Sequence, residues 1–395
     1  MRSPWRQLRR GLFANPLDGL ITIALLILLG HAIWALVHWA VLQAQWTVIR
    51  ANSTLLALGR YPEPERWRLW LVLALLCSAS GLSWGLLRGP KWPRHDRVTA
   101  TALSLLAGLV PLALDLEATV RWTWLALVAL LLSWRWAAGH TRRALPPLML
   151  RCWPLIWPLV YLLGMALIAG FPGLKPVPPT LWGGLLLTLV EACFAWLMCF
   201  PLGVLLALCR RSDLPLLRWG AVLYIELIRG APLITLLFLG QNILGFVLPG
   251  GLSPDRVWRA AWVLTLFAAA YVAEAVRSGL ASVPRGQIEA ARALGLNPLQ
   301  TQAKVVLPQA LKVALPALVG QFITLFQDTT LLSLIGLMEL LGTARSVLAN
   351  PQFLGRNAEV YLVLAVLFWC CCTALALGSR ALERRLRHEP SAIQP

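Results

Sequence analysis

Charge is what this sequence has least of. Only 13% of its residues are charged and 17 of 395 are acidic, where a soluble domain carries about 25% charged residues. That scarcity excludes an ordinary water-facing surface. Histidine is sparse too, with five scattered along the chain. The eight cysteines are Cys77, Cys152, Cys193, Cys199, Cys209, Cys370, Cys371 and Cys372, within or at the ends of apolar runs and without a C-x-x-C pair. A disulfide framework and a metal site are thereby disfavoured, and the cysteines read as small apolar packing residues. No Gly-x-x-x-x-Gly-Lys-Ser/Thr loop occurs, so the chain lacks that route to ATP hydrolysis. No repeat with a period of 20–50 residues is visible.

What is abundant is apolar length. Hydrophobic residues make up 58% of the chain, and several apolar runs reach the ~18 residues needed to cross a hydrocarbon core about 30 Å thick. In lipid the backbone must satisfy its own hydrogen bonds, which leaves helices or closed barrels. The runs are continuous and rich in Leu and Ala, without alternation, so they specify an all-α, polytopic helical bundle. Ten spans are expected, at roughly 17–42, 69–87, 98–116, 121–138, 152–170, 180–209, 221–248, 257–279, 313–337 and 359–380. An eight-helix version, with 98–138 not fully spanning, keeps the same parity.

The net charge of +18 would suggest nucleic acid in a soluble protein. Here the basic residues sit in short loops between apolar runs, as cytoplasmic loops do, so no nucleic-acid partner is expected. They concentrate at 88–97, 135–151, 210–218, 280–312 and in the tail, with Arg380, Arg384, Arg385 and Arg387. Those segments are expected in the cytoplasm together with both termini. Arg2, Arg6, Arg9 and Arg10 precede a first run too long for a signal-peptide core, which is read as a retained helix. The Pro- and Gly-rich stretch GFPGLKPVPPT at 170–180 reads as an external connector. The expected organisation is an N-terminal extension of about five helices (1–179), a core of about five helices (180–387) and a tail (388–395).

The 280–312 loop is long for a helix–helix connection, yet it is patterned. Ile288, Ala291 and Leu294 recur at helical spacing, Gly295 suits a left-handed helix end, and Pro298 suits the first position of a helix. The spacing predicts a short helix, a glycine turn and a second helix that re-enters the membrane at Pro308 and Pro316.

This segment resembles the signature loop of bacterial ABC importer permeases: E-A-A, three residues, G, nine residues, then an apolar residue, any residue, L-P. Glu289, Ala290 and Ala291 are followed by Gly295, and after nine residues by Val305, Leu307 and Pro308, with Val305 where Ile is commonest. The motifs YIELIRGAPLI, YVAEAVRSGL and QFITLFQDTTLLSLIGLMELLG extend the resemblance to the polar amino-acid uptake branch over about 180–387, with Gln327 where a Lys is frequent. NPLDGL and GRYPEPERWRLWLV are similar to the long permease subunits of the general L-amino acid ABC transporter. The resemblance implies a type I importer permease core. It implies ATPase coupling through Glu289, Ala290, Ala291, Gly295, Leu307 and Pro308.

It further implies a cytoplasmic ATPase dimer that carries ATP and Mg, with no cofactor bound by this chain. The other implied partners are a second permease subunit in a heterodimer, a periplasmic substrate-binding protein and the bilayer of the bacterial inner membrane. The chain itself is then a transporter subunit, not an enzyme. An intramembrane ionisable group suggests a function by default. For an L-amino acid substrate, Glu274 and Asp328 are candidate partners for the ammonium and Arg229 for the carboxylate. Gln321 and Thr329 are candidate hydrogen-bonding groups. The pairs Glu226/Arg229 and Glu274/Arg277 also stand three residues apart, a spacing that favours local ion pairing. Glu191, within TLVEACFAW, has no assigned role. The rival readings are an importer permease for another solute, such as an osmolyte or metal chelate, and an ion-coupled secondary transporter; the latter would show paired carboxylates or inverted repeats, which the sequence lacks.

Overall fold

Long apolar runs without backbone partners in lipid close their hydrogen bonds internally, and the described residues are accordingly mostly helical. The computed structural model describes residues 12, 15–113, 117–142, 146, 149, 152–247 and 254–387. The expected tail 388–395 lies outside the described residues. In chain order the principal helices are α1 (Pro16–His38), α2 (Thr47–Leu58), α3 (Trp67–Arg88), α4 (Arg94–Ala113), α5 (Ala118–Thr141) and α6 (Ile156–Ala169). Then come α7 (Gly184–Arg210), α8 (Pro215–Gly230), α9 (Leu233–Val247), α10 (Arg256–Ala281) and α11 (Arg285–Ala293). The last four are α12 (Pro298–Thr301), α13 (Leu307–Asp328), α14 (Leu340–Leu348) and α15 (Asn357–Arg387). No named strand occurs among the described residues.

Helix forms within each expected span among the described residues, and six of these helices are long and apolar enough to cross a membrane. A seventh span exists if α8 and α9 are counted together, and they are bent by 107°. That bend corrects the expectation of one straight helix over 221–248. Its cause is local: Pro232 offers no N–H and pushes the residue before it out of the α region, and Ala231 sits in extended backbone at φ −95°, ψ 139°. The segments α4, α5 and α6 are helical but not among the six. Two segments expected as loops, 43–68 and 338–358, carry α2 and α14.

Small residues set how closely the helices pack. In α3, Gly81 and Gly85 form a G-x-x-x-G face against α5. A Cβ on Gly81 would lie 2.3 Å from the Leu131 carbonyl oxygen, and one on Gly85 2.6 Å from that of Arg135. Without a hydrophobic drive between helices in lipid, such backbone approach is what holds them. In the second half, α10 is the central helix, with Ala260, Ala261, Ala269, Ala270 and Ala273 fully or almost fully buried. It packs on α7, where a Gly203 Cβ would meet the Val272 side chain, and on α13, where a Gly279 Cβ would meet the Ala310 carbonyl. By contrast α1 has no buried residue.

The two halves are joined at the end opposite the 280–312 loop. The Tyr61 hydroxyl donates to the Ile168 carbonyl at 2.9 Å, Arg68 donates to the Lys175 carbonyl at 2.8 Å and pairs with Glu65, and Gly59 bridges to Trp182. There α2 packs Val48, Ile49 and Leu56 against Leu340, Ala344, Val347 and Val360. Glu339 caps α14, accepting from the Leu341 and Gly342 amides at 2.8 Å each. Burial pushes its carboxyl up to about 7, against the pull of those two amides.

Candidate functional site

The 280–312 loop adopts the expected helix, turn and helix. The turn after α11 closes with the paired bonds of a Schellman motif: the Gly295 amide donates to the Arg292 carbonyl and the Leu296 amide to that of Ala291. This pairing requires a left-handed residue at the turn, and Gly295 has φ +77°. Two residues later Asn297 and Gln300 form a reciprocal capping box ahead of Pro298, which satisfies free amides at the start of α12. The tip is therefore held by backbone geometry. Between α12 and α13, Gln302–Val306 form a π-helical turn. The Pro308 ring conflicts with the carbonyl four residues earlier, and the wider turn relieves that conflict.

The same geometry divides the residues of the loop between two faces. Ala291 is buried and Ile288 packs on the core, so both face the bundle. Glu289, Ala290, Ala293 and Gly295 are exposed. Leu294 is 83% and Leu299 82% exposed. Leu307 is half-buried and Pro308 exposed. Sequence reading missed the outward leucines because Leu294 shares the apolar spacing of the buried Ile288 and Ala291.

Close to the root of this loop lies a cluster of arginines around one glutamate. Glu274 of α10 receives Arg210 of α7 at 2.6 Å, Arg277 at 2.9 Å and Arg229 of α8 at 3.7 Å. Arg210 also reaches Glu226 at 3.1 Å, and Arg211 donates to the Leu280 carbonyl at 2.9 Å. The local pair Glu274/Arg277 forms. Arg229 turns from Glu226 toward Glu274 and stacks 5.5 Å from the Tyr271 ring. Arg210 was not legible as a participant, because its partners stand 16 and 64 residues away.

The remaining pathway candidates lie elsewhere. Gln321 and Asp328 are half-buried on α13, and the buried Thr329 hydroxyl donates to the Phe326 carbonyl at 2.7 Å. From the Gly279–Ala310 contact, helix rise places Asp328 roughly 20 Å beyond Glu274 along the bundle. The five candidates are thus spread along the bundle, with Arg229 and Glu274 near the loop, Gln321 about midway, and Asp328 and Thr329 toward the other end. Glu191 is fully buried in α7, and neither carboxylate oxygen has a hydrogen-bond partner among the described residues.

The chain is thus a polytopic helical bundle carrying a folded helix–turn–helix loop with an outward face. Residues 199–388 match the family described as binding-protein-dependent transport system inner membrane component. Over 393 residues the chain is 34% identical to the inner membrane amino-acid ABC transporter permease protein YhdY of Escherichia coli (strain K12), covering 95% of this chain and 91% of that protein. It is 36% identical over 366 residues to the glutamate/glutamine/aspartate/asparagine transport system permease protein BztC of Rhodobacter capsulatus, covering 88% of this chain and 80% of that one. A solved chain from "an amino acid ABC transporter with histidines" is 31% identical, covers 51% of this chain and 92% of its own length, and superposes with a TM-score of 0.46. The chain belongs to the family of ABC importer permeases, in its polar amino-acid branch. It is a multi-pass membrane protein.

Proposed function

We propose that this chain is the permease subunit through which L-amino acids cross the bacterial inner membrane, driven by ATP hydrolysis on a separate cytoplasmic ATPase dimer. The observation that carries the coupling is the exposed side of the loop tip, with Glu289 and Ala290 on α11, Leu294 at its end and Leu299 on α12, held in place by the Gly295 turn and the Asn297–Gln300 cap. Small alanines admit close approach, and the two leucines supply apolar area to bury. Leu307 and Pro308 then set how α13 leaves the membrane. ATP and Mg belong to the ATPase, and no cofactor is assigned to this chain. A second permease subunit in a heterodimer and a periplasmic binding protein complete the assembly, with both termini of this chain in the cytoplasm. The names of the relatives support an amino-acid substrate. Of the pathway candidates, Glu274 already faces three guanidiniums, so Arg229 and Glu274 read as a structural hinge at the loop root, whereas Gln321, Asp328 and Thr329 remain candidates to line the path.

Uptake of labelled glutamate and glutamine by cells carrying the wild-type or Leu294→Asp chain tests this reading. Burying a charge in the docking face should abolish uptake with unchanged amounts of protein in the membrane. Undiminished uptake, or transport that persists when the ATPase is inactivated, would contradict it. Loss of osmolyte uptake alone would replace the substrate class.

A further inference from the structure

The segment 88–97 folds around a buried arginine. Arg135 is fully buried in α5, donates to the Gly89 and Lys91 carbonyls at 2.9 and 3.0 Å, and pairs with Asp96 at 3.1 Å. Trp84 and Trp92 cover its guanidinium at 5.6 and 4.7 Å. Asp96 is thus consumed: one oxygen takes Arg135 and the Trp84 indole N–H, the other lies 3.5 Å from Arg88. With Asp96 pinned inward, the rotation of α4 is fixed, and Arg94 and Arg97 on its opposite side are exposed. Neither has an ion-pair partner among the described residues.

Those two guanidiniums head a shallow, open groove along one face of α4 that continues along Val98, Thr101, Ala102 and Leu105. Every one of these residues is exposed. Positions 94, 97, 98, 101 and 105 share one helix face, and helix rise puts Leu105 about 12 Å beyond Arg97. The groove is therefore amphiphilic: unneutralised positive charge at the end of the helix, then an apolar wall running away from it. A soluble anion matches only the first part. We propose that this face of α4 is a binding site for one anionic phospholipid, whose phosphate sits between Arg94 and Arg97 and whose acyl chain lies along Val98, Ala102 and Leu105. The inference goes beyond the transport reading and does not depend on it.

The full-length protein is purified, returned to nanodiscs of dioleoylphosphatidylglycerol or dioleoylphosphatidylcholine, and assayed by native mass spectrometry for retained lipid. The wild type should retain phosphatidylglycerol in preference to phosphatidylcholine. The double variant R94Q/R97Q should bind it about 30-fold more weakly, the scale of two basic residues at an anionic surface. Leu105→Trp, which fills the groove and leaves the charges, should also weaken retention. Arg60→Gln, at the other end of α3, should change nothing. Equal retention by wild type and R94Q/R97Q would overturn the proposal. So would unaltered retention in Leu105→Trp, and displacement by millimolar inorganic phosphate would assign the groove to a free anion instead.

Discussion

At the scale of single residues, buried charge organises both halves of the molecule, and it does so through partners far away in sequence. Arg135 is satisfied by two carbonyls, Asp96 and two indole faces. Removing one member of such a buried pair strands the other, at a cost of about 3–5 kcal/mol. Asp96→Ala should therefore lower the melting temperature of the detergent-solubilised protein by several degrees, while Arg60→Ala, on an exposed side chain, should leave it unchanged. Little of this was legible beforehand. The sequence places Arg135 and Asp96 in two basic segments whose charges read as loop markers, and only the parallel packing of α3 and α5, with α4 starting at the same end, draws them into one cage. Pairing at three-residue spacing was legible for Glu274 and Arg277, but Arg210 enters from another helix and redirects Glu226 and Arg229.

At the scale of elements, most spans were readable because lipid leaves an apolar run no alternative to helix. Breaks and short amphipathic pieces were harder. The 107° bend between α8 and α9 turns on one proline, and α14 is an amphipathic helix in a segment with no spanning length. Its cap, Glu339, makes a pH-dependent contribution. Its folded carboxyl titrates at about 7, above the ordinary value of 4.5. Below about pH 4.5 the folded and unfolded states are both protonated. As the pH rises toward 7 the unfolded state releases its proton first, so stability is lost through that window and levels off above it. Thermal melts between pH 4.5 and 8 should show this decline in the wild type and a flatter profile in Glu339→Gln. The 280–312 loop was the most legible element, because glycine, proline and capping residues fix a turn through the backbone itself. Its outward leucines and inward Ala291 were not, because period alone does not say which side of a short helix meets the bundle.

At the scale of the whole molecule, a tightly packed α7–α10–α13 core is tied to an N-terminal set of helices at the end away from the loop, leaving the loop end free for a partner. The central claim is that the rigid tip of that loop transmits the partner's work. Gly295 isolates this claim, since a side chain there meets nothing within 4 Å and only the backbone at φ +77° objects. A β-branched residue resists that conformation by about 1–2 kcal/mol, whereas asparagine adopts it more readily. The deciding measurement is uptake of labelled amino acid by cells producing equal membrane amounts of wild type, Gly295→Asn and Gly295→Val. The predicted result is near-normal uptake for Gly295→Asn and loss of transport for Gly295→Val; equal, undiminished uptake by all three would contradict the account.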